Sequence, residues 1–141
     1  MLRLIPLLII PIVIYNFLAL GGGVIAHHDV QDLTKASFEI SMFSQTKWSV
    51  SLGDFFLFGG LALLFIEVVK ATRTTSKEII NHGLSMLLFV AALIEFITIK
   101  GFATSTFFFL VLFTLFDVVA GYTISIVAAE HDLGLGKAGT D

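Results

Sequence analysis

Apolar residues run along this chain in four long blocks, roughly residues 4–25, 51–71, 78–99 and 106–129, with short polar stretches between them. A helix crossing a ~30 Å hydrocarbon layer needs about 20 mostly apolar residues, and each block reaches that length. The pattern predicts an all-α integral membrane protein, a bundle of four transmembrane helices forming a single domain over residues 1–141. "KATRTTSK" (70–77) and "KGFATS" (100–105) read as tight polar turns. Pro6 and Pro11 both fall in the first block, where they predict a bend that neighbouring helices can accommodate.

The connection between the first two blocks, residues 26–50, is longer and carries a different rhythm. Phe38, Ile40 and Met42 alternate with Glu39 and Ser41; after "FSQTK", Trp48, Val50 and Leu52 alternate with Ser49 and Ser51. Period-two alternation on both sides of a polar turn predicts a short extracytoplasmic β-hairpin with one apolar face. An irregular loop with chance alternation is the competing reading. In the hairpin, Trp48 would serve as an interfacial anchor.

Composition agrees with lipid as the solvent. Hydrophobic residues make up 57% of the chain and charged residues 13%, against ~45–50% and ~25% in soluble domains. The net charge is only −3 and the basic residues form no large cluster, so nucleic acid is not an expected partner. With no cysteine, disulfides, thiolate metal sites and cysteine nucleophiles are excluded. Lys70, Arg73 and Lys77 crowd one turn, which is therefore expected to be cytoplasmic. Both termini then join it, with Arg3 and Lys137 inside and Lys35, Lys47 and Lys100 outside. A bacterial inner membrane is the expected location. The first block also has a signal-peptide reading, with Arg3 before it and small residues near Ala26, but its apolar stretch exceeds the usual ~7–15 residues. A retained helix is the expectation.

Ionisable side chains within spans are costly and normally face the bundle interior, so each is a candidate site. Asp54 and Glu67 in the second span are thirteen residues apart, about 220° around a helix, and so lie on opposite faces. Gly53, Gly60, Leu64, Glu67 and Ala71 share one face, a small-residue seam fit for close approach by another helix. It ends at Glu67, with Lys70 a counter-charge one turn on. On the third span Asn81, Ser85, Ala92 and Glu95 form a polar stripe, and His82 is expected to pair with Glu78. Glu95 lies about 7 Å below the outer helix end, close to the level of Asp54. These two carboxylates are candidates for a coupled pair holding a proton or cation. Asp117 is the deepest charge, with Thr106, Thr114 and Gly121 on its side of the fourth helix. Tyr15 and Asn16 supply the nearest polar groups expected at midplane, so a neutral Asp117 hydrogen-bonded to one of them is the predicted arrangement.

Other chemistry is thinly represented. His27, His28, Asp29 and Asp32 form a weak candidate metal cluster, since adjacent histidines project differently and no second ligand set accompanies them. Haem would want histidines on facing spans, and only His82 lies within one. No cofactor is expected. Two functions follow. The first is an accessory or scaffold subunit, docked on a larger membrane complex through the glycine seam and the phenylalanine face of the fourth span. The alternative is a small oligomeric transporter or channel, coupled to protons or cations through Asp54, Glu95 and Asp117. Lipid and a membrane-protein partner or further copies are the expected contacts. An intramembrane enzyme ranks well behind both.

Overall fold

The computed structural model describes residues 5–25, 33, 35–72 and 76–138. In chain order it has α1 (Ile9–Ile25), β1 (Ala36–Ser41), β2 (Lys47–Ser51), α2 (Leu52–Ala71), α3 (Ser76–Thr98) and α4 (Ser105–Ala138). The protein is mostly helical, and α2, α3 and α4 are long and apolar enough to cross a membrane. That architecture is compatible with a helical membrane bundle.

Helix α1 is shorter, at 17 residues, and its prolines explain why. Pro6 precedes the helix and accepts the Ile9 amide at 3.1 Å, while Pro11 falls in the first turn. An amide in that turn has no helical acceptor, so proline removes nothing there. The prolines start the helix rather than bend it, which corrects the kinked span expected from sequence. Helix α4 differs in the other direction. It has 34 residues, about 50 Å at 1.5 Å per residue, and continues past residue 129, where the fourth apolar block ends. Glycines at 134 and 136 cost a helix only about 1 kcal/mol each, and no proline breaks it.

The hairpin forms. Phe38 pairs with Val50 and Ile40 with Trp48, while Glu39 opposes Ser49 and Ser41 opposes Lys47. Apolar and polar residues thus segregate to the two faces, and Glu39 and Lys47 form an exposed ion pair at 2.9 Å. The turn closes with Met42 N–H donating to Thr46 O and Gln45 N–H donating to Met42 O, both at 2.9 Å. Gln45 adopts a left-handed φ of 62° to complete it. Strand β2 then passes into α2 with no intervening loop. Ser51 pairs with Ala36 and also caps the helix, its hydroxyl accepting from Asp54 N at 3.2 Å. The Asp54 carboxylate accepts in return from Ser51 N at 2.8 Å. This reciprocal capping box fixes the hairpin to the N-terminal end of α2, and Phe38 packs on Phe55 with ring centroids 5.7 Å apart.

Helix α4 is central, packed along both α2 and α3, with α1 leaning on α2 and α4. The buried face of α2 is the small-residue seam, Gly53, Gly60, Leu64, Glu67 and Ala71. A Cβ on Gly60 would sit 3.2 Å from Leu110 Cδ2 and Phe113 Cδ2, and one on Gly53 would sit 2.9 Å from Thr106 Oγ1. The glycines therefore seat α2 against α4 of the same chain. The expectation that this seam meets a partner is corrected.

Candidate functional site

Four of the polar groups singled out in the sequence, Asp54, Glu95, Asn16 and Tyr15, are taken up at the end of the bundle that carries the hairpin. Asp54 is exposed and occupied by the capping box. Glu95 accepts Asn16 Nδ2 at 2.9 Å, and the same amide donates to Ile12 O at 3.1 Å. The expected Asp54–Glu95 pair gives way to these separate partners, because a helix-start carboxylate turns back to its own cap. The Tyr15 hydroxyl hydrogen-bonds Thr104 Oγ1 and lies 3.4 Å from the Gly101 carbonyl. Its ring packs on Phe107, Phe102 and Phe56, with centroids 4.7, 5.5 and 6.2 Å away. Gly101 makes this possible: its φ of 92° turns the chain between α3 and α4. Neither Asn16 nor Tyr15 reaches Asp117. The predicted tie between spans one and four is corrected, and their polar groups meet at the α3–α4 end instead.

A second set of polar groups collects in the other half of the bundle, on the α2, α3 and α4 faces. Glu67, 1% exposed, accepts from Lys70 Nζ at 3.0 and 3.2 Å. It accepts from Asn81 Nδ2 at 2.6 Å, and from the Leu7 backbone N–H at 3.1 Å. Four donor contacts from three chain segments compensate a carboxylate that burial would otherwise penalise by several kcal/mol. Lys70 retains some exposure, which places it at the edge of the cluster. Leu7 just before α1, α2 and α3 are thus cross-linked at one carboxylate.

Asp117, 3% exposed, faces this cluster from α4. It lies beside the Ser85 hydroxyl and within electrostatic reach of Glu67 and Lys70. Asp117 Oδ2, Ser85 Oγ and Asn81 Oδ1 are buried with no hydrogen-bond partner among the described residues. One turn before Asp117, Thr114 spends its proton on Val111 O at 2.7 Å and keeps its lone pairs. One turn after, Gly121 lets the buried His82 ring lie against α4; any Cβ there would collide with the imidazole. Tyr122 flanks the same ring at a centroid distance of 5.9 Å.

The candidate site is therefore a buried polar cluster of Glu67, Lys70, Asn81, His82, Ser85, Thr114 and Asp117. Sequence singled out Asp117, the Glu67–Lys70 pair and the α3 polar stripe, but did not join them. Counting residues from the helix ends would have set Ser85 near the depth of Asp117, the same argument that was applied to Asp54 and Glu95. His27, His28, Asp29 and Asp32 lie outside the described residues, as do Arg3 and Arg73 and the side chains of Lys77, Glu78 and Lys137. Among the described residues no group of three or more histidines and carboxylates is placed to hold a metal ion. No protein-family model, curated protein or solved structure matches this chain.

Proposed function

We propose that the chain is a small multispanning protein of a bacterial inner membrane, with both termini cytoplasmic and α1 crossing beside the three longer helices. In this reading it serves as an accessory or scaffold subunit of a larger membrane complex. The supporting observation is that Asp54, Glu95 and Glu67 each have a structural partner within the chain. A relay needs groups free to exchange protons or ions, and these three are committed to capping, to Asn16 and to Lys70. With the glycine seam used internally, the surface left for lipid and a partner is the outer one. It carries Phe58 and Phe65 of α2 and Phe116 of α4, exposed by 73%, 71% and 55%.

Purification in mild detergent tests this. A stoichiometric complex with other membrane proteins is the expected result, and a homo-oligomer alone would overturn it. Proton- or cation-coupled transport is the second reading, supported by the unpartnered oxygens around Asp117. Flux in reconstituted vesicles under a proton or sodium gradient tests it, and no flux under either gradient would remove it.

A further inference from the structure

We infer that the facing surfaces of α3 and α4 form a buried binding site for a hard monovalent cation such as sodium, with Asp117, Ser85 and Asn81 as ligands. This goes beyond the subunit reading and does not depend on it.

Charge balance is the first argument. Glu67 and Asp117 are two carboxylates, and Lys70 is the cation that pairs with Glu67. Ionised, these three alone carry one net negative charge, which is costly when buried. Among the described residues His82 is a further titratable group against α4, on the Gly121 side of Asp117.

Oxygen chemistry is the second. Three oxygens of three side chains, each buried by at least 97% of its residue surface, lack a hydrogen-bond partner among the described residues: Asp117 Oδ2, Ser85 Oγ and Asn81 Oδ1. Buried polar atoms are normally matched, so such a grouping marks a candidate ligand set. Asn81 and Ser85 are four residues apart and share a helix face. The Asn81 amide nitrogen is anchored on Glu67 at 2.6 Å, which leaves its carbonyl oxygen for another ligand. Ser85 lies beside Asp117, and Thr114 adds a fourth oxygen one turn away on the aspartate's face.

A proton on Asp117 would also neutralise the charge, with its O–H and the Ser85 hydroxyl as the two donors of the group. A cation serves all three oxygens at once. Oxygen ligands, one of them charged, suit a hard ion, and one net negative charge is matched by a monovalent ion. Carboxylate, hydroxyl and amide oxygens at the interface of two packed helices need no change of fold to coordinate it.

Unfolding of the purified full-length protein in an uncharged detergent tests this at fixed pH and ionic strength. Choline chloride is replaced stepwise by sodium, lithium or potassium chloride. The wild type is expected to show a saturable rise in its midpoint, on the order of 5 °C, with a size-selective order among the three ions. Asp117→Asn and Ser85→Ala should each abolish the rise while unfolding cooperatively in choline. Asp54→Asn, at the outer cap, should retain it. If Asp117→Asn fails to fold, Ser85→Ala carries the same comparison. Equal midpoints in all four salts would overturn the site. So would a rise that survives in Ser85→Ala, or a midpoint that follows pH alone, which would mark Asp117 as simply protonated.

Discussion

Gly121 and His82 show how a single missing side chain sets what the bundle can hold. The imidazole occupies the space a Cβ at 121 would need, so the two positions are one packing decision. Forcing a methyl into a filled interior typically costs 1–3 kcal/mol. Gly121→Ala is expected to destabilise the protein by about 2 kcal/mol in denaturant unfolding, on that principle. In the His82→Ala background, where the ring is gone, the same change should cost less than about 0.5 kcal/mol. Equal costs in both backgrounds would mean the glycine is there for another reason. Glu67 makes the complementary point. A carboxylate is tolerable at 1% exposure because a lysine, an asparagine and a backbone amide converge on it, and Asp117 stands apart for lacking such a set.

At the scale of elements, the hairpin and α2 behave as one piece because Ser51 belongs to both. A two-stranded sheet alone is marginal in water, but here the capping box ends the strand and starts the helix in consecutive residues. The weak point is the turn, where Gln45 takes the left-handed φ of 62°. That conformation costs a side-chain-bearing residue about 1 kcal/mol and glycine nearly nothing. Gln45→Gly is therefore expected to slow amide hydrogen exchange across β1 and β2 by about threefold, with helix protection unchanged; the net gain is trimmed by glycine's greater unfolded-state entropy. Faster exchange would show that the glutamine side chain contributes more than its backbone strain. On the helices, the seam of α2 was legible from spacing alone, since Gly53, Gly60, Leu64, Glu67 and Ala71 recur at helical period. Spacing identifies a face, but it does not name what the face meets.

The whole molecule is organised around α4, with polar ties at two levels. Tyr15–Thr104 and Asn16–Glu95 link α1 to the α3–α4 end, and Glu67 joins Leu7, α2 and α3 at the other. The proposed orientation in the membrane rests on the basic residues of the Lys70–Lys77 turn. The chain has no native cysteine, so single cysteines report cleanly. Ser44→Cys at the hairpin tip is expected to label from outside intact cells with an impermeant thiol reagent, and Thr75→Cys only after the membrane is breached. The reverse pattern would invert the proposed topology and place the Asp117 cluster in the outer half.

Sequence by itself determined what depends on residues a few positions apart. The apolar blocks, the alternation of the hairpin, the Lys70 counter-charge three residues from Glu67 and the inward face of α2 all follow from periods of two and 3.6. Proline's effect also follows from local geometry, though its placement at the helix start required knowing where α1 begins. Tertiary structure decided the partners: Asn16 with Glu95, Tyr15 with Thr104, Asn81 with Glu67, and Asp117 with the α3 stripe. The reason is physical. In lipid the outward faces of all helices are apolar, so hydrophobic pattern gives each helix a polar side without ordering the helices around one another. Hydrogen bonds between residues 14 to 89 positions apart depend on that order. Packing sets it, here through glycines that bring α2 against α4 and an imidazole laid on Gly121.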